Sequence, residues 1–439
     1  MGQTFEPYDP DQGLLLPPSL RDWLPEGHLA HFVSDTVDQL DLRPFSAKFE
    51  RREDGRGSLA YHPAMVLKVL IYAYSTGVFS SRRIEAALSD SVALRYLAAG
   101  NQPGHRTIAR FRAEHIEHFQ AVFVQIVRIA QEAGLVKLGT LAIDGSKLKA
   151  NASKHKAMSY GRMKEEERKL REEIRRITER ARGIDEAEDR EFGPDFRGDE
   201  LPKELIRRQE RIAKIREAKK RLEEQQKQED EESGRGERMT KEGRGNMKRP
   251  NGVPPNKAQA NFTDPESRIM KTGSGTFEQC YNAQIAVDAE ERLIVAAHVT
   301  PCGADNGVLL TMIDAVRRNC RAMPRRVLAD SGYKSENNFQ ELARRGIDGY
   351  VALGRGESST NSASAKPLTR RMARKLRTLH GRIRYKQRKT LVEPVFGWIK
   401  QALGFRGFLV RGVRKVRGEW ALVCLALNVK QMSQRLGWV

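Results

Sequence analysis

A strand-like run at Leu141–Ile143 closes on Asp144 and Gly145, and strand vocabulary returns only with "QCYNAQIAVD" (Gln279–Asp288) and "RLIVAAHVT" (Arg292–Thr300). Any sheet made from these runs is interrupted after its first strand. The interruption has its own pattern. In residues 161–232, Leu170, Ile174, Ile177 and Ala181 recur at 4-3-4 spacing, and Leu205, Ile212, Ile215 and Leu222 answer them. Between these runs "EFGPDFRGDE" carries the Gly and Pro that break a helix. Two narrow apolar seams predict an antiparallel coiled-coil hairpin. Residues 161–250 hold 27 basic and 25 acidic side chains, a balance that suits a solvated arm or a protein contact. Residues 233–260 read as a flexible basic linker back to the sheet.

After the hairpin of strands come a helix at "GVLLTMIDAVRRN", a strand "RRVLAD", a helix near "SENNFQELARRG", a strand "DGYVAL" and a last helix. That order predicts a mixed α/β sheet built from residues 138–160 and 261–439. Residues 1–137 read instead as helices. "AMVLKVLIYAYSTGV" has a helical stripe, and a single long helix is expected from about Thr107 to the end of "GHRTIARFRAEHIEHFQAVFVQIVRIAQEAG". Short helices opening on "RTIARFR" have the outline of a helix-turn-helix, with Arg106 and Arg110 as candidate DNA contacts.

The charge distribution says what such a sheet would hold. The 439 residues carry a formal net charge of +21, and residues 366–418 alone hold 17 Lys or Arg against one acid, Glu393. A polyanion, with nucleic acid ahead of anionic membrane, is the expected partner. No run is long enough to span a bilayer; the longest apolar one is "ALVCLALNV". The start lacks a signal-peptide pattern, and four cysteines without metal-type spacing read as buried, reduced thiols. A cytoplasmic protein is expected.

"LAIDGS" and "VLADSG" are a matched pair: an apolar strand, an aspartate at its end, then a small residue. Strand ends are where α/β sheets place ligands. Glu393 stands alone among cations in "YKQRKTLVEPVFGWIKQALGF", with Gly397 and Lys400 on its helical face. Pro394 disfavours a helical Glu393, and Thr390 lies at capping-box distance from it, so a capping role competes. Three carboxylates, Asp144, Asp330 and Glu393, suit hard divalent cations. A pair of such ions about 4 Å apart can activate a hydroxyl and stabilise the leaving oxygen of a phosphodiester. Lys147, Lys149 and Asn151 follow the first acid and are placed to meet DNA backbone.

The segments "AIDGSKLKANASKHKAMSYGRM", "NFTDPESRIM", "YNAQIAVD", "LADSGYKSENN" and "YKQRKTLVEPVFGWIKQALGFRGFLVRG" resemble those of bacterial DDE-type insertion-sequence transposases, and within them the IS1182 group of the IS4/IS5-like assemblage. The resemblance runs over nearly the whole chain. It implies an RNase H-like core with a helical insertion between strands one and two, and Asp144, Asp330 and Glu393 as a catalytic, metal-holding triad. Mg²⁺ is the implied ion, with Mn²⁺ as a substitute, and DNA ends and target DNA are the implied partners of at least a dimer. The family's tyrosine, arginine, glutamate and lysine signature falls on Tyr385, Arg388, Glu393 and Lys400. Arg388 lies five residues before Glu393 where four is usual, so Lys389 shares its candidacy for a phosphate contact, as does Arg406 downstream. The alternatives are a catalytically inactive DNA-binding repressor and a metal-dependent nuclease without strand transfer.

Overall fold

The computed structural model describes residues 19–46, 60–192, 203–232, 250–354 and 366–438. Its main sheet comprises β1 (Thr140–Lys149), β4 (Arg268–Lys271), β5 (Phe277–Asp288), β6 (Ile294–Thr300), β7 (Arg326–Ala329) and β8 (Asp348–Val351). The order across it is β6-β5-β1-β7-β8, with β4 on the β6 side of β5. β5 runs antiparallel to β1 and β6, whereas β7 is parallel to both β1 and β8. A mixed sheet of this kind fits the expected RNase H-like core.

The first strand does not stop at Asp144. β7 leaves β1 at the pair Ile143↔Ala329, but β5 stays paired with it as far as Lys149↔Cys280. Gly145 lets the strand continue, because a Cβ there would sit 2.1 Å from Gln284 Nε2 and 2.9 Å from Asn282 Oδ1. A small second sheet, β2 (Ala157–Ser159) with β3 (Gln259–Asn261), and the short β4 were not foreseen. β3 begins inside the stretch read as linker; residues 233–249 of that stretch lie outside the described residues.

Around the first part of the chain fold α1 (Leu29–Asp38), α2 (Arg43–Ser46), α3 (Pro63–Ser75), α4 (Ser81–Asp90), α5 (Val92–Leu97), α6 (His105–Glu114) and α7 (His118–Glu132). The long helix expected from Thr107 is therefore two, α6 and α7. At the break the Ile116 carbonyl faces Gly418, where a Cβ would stand 2.0 Å from its oxygen. Any larger residue at position 418 would prevent that approach.

α8 (Tyr160–Phe192) and α9 (Lys203–Glu232) follow β2, and the turn read at "EFGPDFRGDE" lies outside the described residues. Their cross-links run in opposite senses along the two helices: the ion pairs Glu173 with Arg208 and Glu166 with Arg211, and the hydrogen bond from the Tyr160 hydroxyl to Glu223. The pair is antiparallel. Leu170, Ile212, Ile215 and Leu222 are buried in its seam, as the spacing predicts, with Ile174 packed against them. Burial would raise the Glu167 carboxyl, but Arg216, Lys219 and Arg171 around it bring it down to about 2.

Five further helices follow among the described residues: α10 (Leu309–Cys320), α11 (Glu336–Arg344), α12 (Pro367–Arg377), α13 (Leu379–Gly397), which passes into a π-helical turn, Trp398–Ala402, and α14 (Val413–Arg435). α14 carries the longest apolar run and is buried on every side from Gly418 to Val429, as a helix apolar all round has to be. It packs against α7 and α3 on one side and β6 on the other. Asn428 bridges to the edge strand β6, accepting from the Ile294 N–H at 2.9 Å and donating to its carbonyl at 2.7 Å. One residue of that edge is thereby paired.

The start of α14 is capped from a distant part of the chain. Asp264 Oδ1 accepts from the Gly412 N–H at 3.3 Å, and Glu266 Oε2 from the Val413 N–H at 2.8 Å. These carboxylates satisfy first-turn donors and complement the helix dipole. Glu419 within α14 is fully buried, takes the Leu409 N–H at 2.8 Å, and faces Tyr74, whose hydroxyl receives Arg112 Nη1 at 3.0 Å. One continuous apolar core consequently joins the first helices, the sheet and α14. Cys280, Cys320 and Cys424 are buried free thiols as expected, but Cys302 is exposed, because it sits in the loop after β6. Among the described residues no helix is long and apolar enough to cross a membrane.

Candidate active site

Two aspartates meet where the parallel pairing of β1 and β7 ends. Ile143 and Ala329 are register partners, so Asp144 and Asp330 are the next residues on neighbouring strands, and adjacent strands lie about 4.8 Å apart. Asp330 turns the chain by accepting the Gly332 N–H at 2.8 Å. Asp144 accepts its neighbour Gly145's N–H at 2.9 Å and receives Arg388 Nη1 at 2.7 Å, in a pair whose side chains are only 18% and 10% exposed. Burial pushes the Asp144 carboxyl up to about 6; Arg388 works against this and the Asp330 charge adds to it. Burial also opposes the Arg388 charge, but Asp144, Tyr385 and Asp330 outweigh it and raise its pKa.

These are oxygen ligands under electrostatic strain, a donor set that fits a hard divalent cation. Glu393 does not join them. It sits inside α13, exposed, with Pro394 continuing the helix. Among the described residues no three His, Cys, Asp or Glu side chains stand close enough to hold a metal ion. The capping alternative for Glu393 also falls away. α13 begins at Leu379, is capped by Thr378, and Thr390 Oγ1 donates to the Gln387 carbonyl.

The other candidate residues divide into inward and outward groups. Arg388 turns in to Asp144, and its Nε is buried with no partner. Tyr385 is half-buried beside it. Lys400 Nζ reaches Ser146 Oγ, near Asp144, and burial lowers its pKa. Lys147 is tied down, donating to the Gly303 carbonyl at 2.8 Å and lying 3.4 Å from Asp305. Asn151 donates to the Leu409 carbonyl at 2.6 Å. Lys149 is 60% exposed with Glu278 at 3.6 Å, and Lys389 and Arg406 face solvent, the latter bonded to Gln401. Arg106 and Arg110 lie exposed on α6, well removed in sequence from the acids.

Sequence reading missed a polar network behind the pair. Asp305 accepts from Asn282 Nδ2 at 2.6 Å and Gln284 Nε2 at 2.8 Å, and the buried Tyr333 hydroxyl donates to Gln284 Oε1. A Cβ on Gly332 would meet Asp305 Oδ2 at 2.9 Å and Asp330 Oδ1 at 3.0 Å, so the network borders the second acid. A signal for it was present. Asn282 and Gln284 alternate within the otherwise apolar stretch 280–287 of β5, which places both on one face. Tyr333, three residues past Asp330, is fully buried in this network.

Comparison with known families matches residues 252–429 to the Transposase DDE domain and residues 18–114 to a Transposase domain, DUF772. The first match contains Asp330 and Glu393, and Asp144 lies between the two. No curated protein and no solved structure matches the chain.

Proposed function

Because the chain belongs to the DDE-type insertion-sequence transposases, with a pairing of domains consistent with the IS1182 group, we propose that it cuts the ends of an insertion sequence and joins the freed 3′ hydroxyls to target DNA. The observation that supports this best is the register that sets Asp144 beside Asp330 at the end of β7. Asp144 and Asp330 would hold Mg²⁺ or Mn²⁺, with Glu393 completing the set once α13 shifts towards them. When bound, the ion would activate the attacking oxygen and stabilise the leaving one.

The chain's own residues supply the rest. Arg388 neutralises the Asp144 carboxylate and holds it in place. Lys400 brings a second cation beside Ser146, and Tyr385 flanks Arg388. Water attacks in the first step and the 3′ hydroxyl in the second, so neither needs a covalent link to the enzyme. Lys389, Arg406 and Lys149 on the surface, and Arg106 and Arg110 on α6, would grip DNA backbone. Residues 138–160 and 261–439 form the catalytic core, 161–232 its helical insertion and 1–137 a DNA-binding part. Pairing of two DNA ends requires at least a dimer, for which the α8–α9 arm offers a surface. The site of action is the cytoplasm.

A second reading, a DNA-binding repressor without catalysis, is favoured by one observation: Glu393 stands away from the aspartates. Cleavage of a labelled duplex carrying the element's ends in Mg²⁺, for wild type beside Asp144→Ala, Asp330→Ala and Glu393→Ala, decides between them. Nicking by wild type, with each variant binding but not cutting, supports the transposase. Binding without any cutting in Mg²⁺ or Mn²⁺ rejects it.

A further inference from the structure

The foot of the helical arm holds a second concave site, lined by none of the candidate catalytic residues. β2 and the turn before it, α8, α9 and Phe262 just past β3 enclose a cavity of about 350 Å³. Its apolar wall is made by Phe262, Met158 and Ile215, its charge by Lys156, Arg162 and Lys214, and among the described residues no acid lines it. None of those three cations has a side-chain hydrogen bond or ion pair among the described residues. Arg211, also at the rim, is already neutralised by Glu166 at 2.7 Å.

Phe262 is held outward by a built turn. The buried Asn261 side chain accepts the N–H groups of Thr263 and Asp264 at 2.8 and 3.2 Å and donates to the Ser153 carbonyl at 2.7 Å. The Phe262 N–H is spent on the Lys156 carbonyl at 3.1 Å. A phenyl ring that stays 36% exposed on so fixed a backbone is a large apolar surface kept in water. An aromatic face with unpaired cations around it matches the two halves of a nucleotide, base and phosphate. A duplex hides its base faces, and a cavity of this size admits a single residue of a strand.

We propose that this cavity binds an unpaired nucleotide of a DNA strand, the base stacked on Phe262 and the adjoining phosphates held by Lys156, Arg162 and Lys214. The inference rests on the transposase reading for its choice of DNA, since a staggered cut of both strands leaves ends whose bases lack partners. It differs from that reading in location and chemistry, because no bond is made or broken here.

The test is fluorescence anisotropy of the full chain with a short single-stranded oligonucleotide and with an abasic strand of the same length. Wild type is expected to prefer the intact strand by about tenfold. Phe262→Leu should abolish that preference with its melting temperature unchanged, and Phe262→Tyr should restore it. Lys156→Gln should weaken both strands alike and lower the salt slope by about 0.7. Equal wild-type affinity for the two strands overturns the inference, as does a preference that survives Phe262→Leu. If wild type cuts element ends yet shows no base preference, only this inference fails; if it shows the preference but never cuts, the transposase reading fails instead.

Discussion

Replacing Asp144 by Asn tests the electrostatics of the aspartate pair without touching its shape. In the native protein the Asp144 carboxyl titrates near 6 in place of 3.8. Ionising it in the fold therefore costs about 3 kcal/mol more than in the unfolded chain, at about 1.4 kcal/mol per pH unit. Between those two values the unfolded chain has already released its proton while the native chain keeps it. Stability contributed by this group is thus present below about pH 4, falls as pH rises to about 6, and stays lost above. Asn mimics the protonated form at every pH. Urea unfolding in EDTA, followed by tryptophan fluorescence, should show the variant more stable than wild type by about 3 kcal/mol near pH 8, with no gap near pH 4. Mg²⁺ added near pH 8 should stabilise wild type alone, by about 2.7 kcal/mol at a hundredfold excess over its dissociation constant. A gap that does not change with pH would refute the reasoning. So would a less stable variant near pH 8, since it would mean that the Arg388 ion pair outweighs burial.

Glu393→Gln should abolish cleavage while leaving DNA binding intact and urea stability within about 0.5 kcal/mol of wild type, because the side chain is exposed; wild-type cleavage would remove Glu393 from the chemistry. Glu419→Leu removes the buried charge that faces Arg112 and the acceptor of the Leu409 N–H, and a loss of about 3–5 kcal/mol is expected in urea unfolding. Gly418→Ala forces a methyl to 2.0 Å from the Ile116 carbonyl oxygen and should cost about 1–3 kcal/mol by parting α14 from α7, read as a lowered urea midpoint.

Much of this protein could be read without coordinates because its signals are local. Apolar runs marked the strands, a 4-3-4 spacing marked the arm's seam, and a strand ending in Asp and a small residue marked both aspartates. Where the reading erred, the decisive contact was remote. β1 runs past Asp144 because β5 continues to pair with it, and the helix expected from Thr107 breaks where Gly418, far along the chain, needs room. Pro394 looked like a helix boundary, but α13 carries it with Val395 and Phe396 buried just beyond. Asp305 lies in a loop with no periodicity, so nothing in its own neighbours shows that it receives Asn282 and Gln284.

By itself, then, the sequence determined which segments are strands and helices, where the positive charge concentrates, and which acids close apolar runs. Those follow from side-chain periodicity and composition, which act over a few residues. Tertiary structure alone decided that Arg388 neutralises Asp144, that Glu393 stands outside the pair, and that Asp264 and Glu266 cap α14 from nearly 150 positions away. Charges and hydrogen-bonding groups interact by distance in space, and that distance exists only once the sheet has paired.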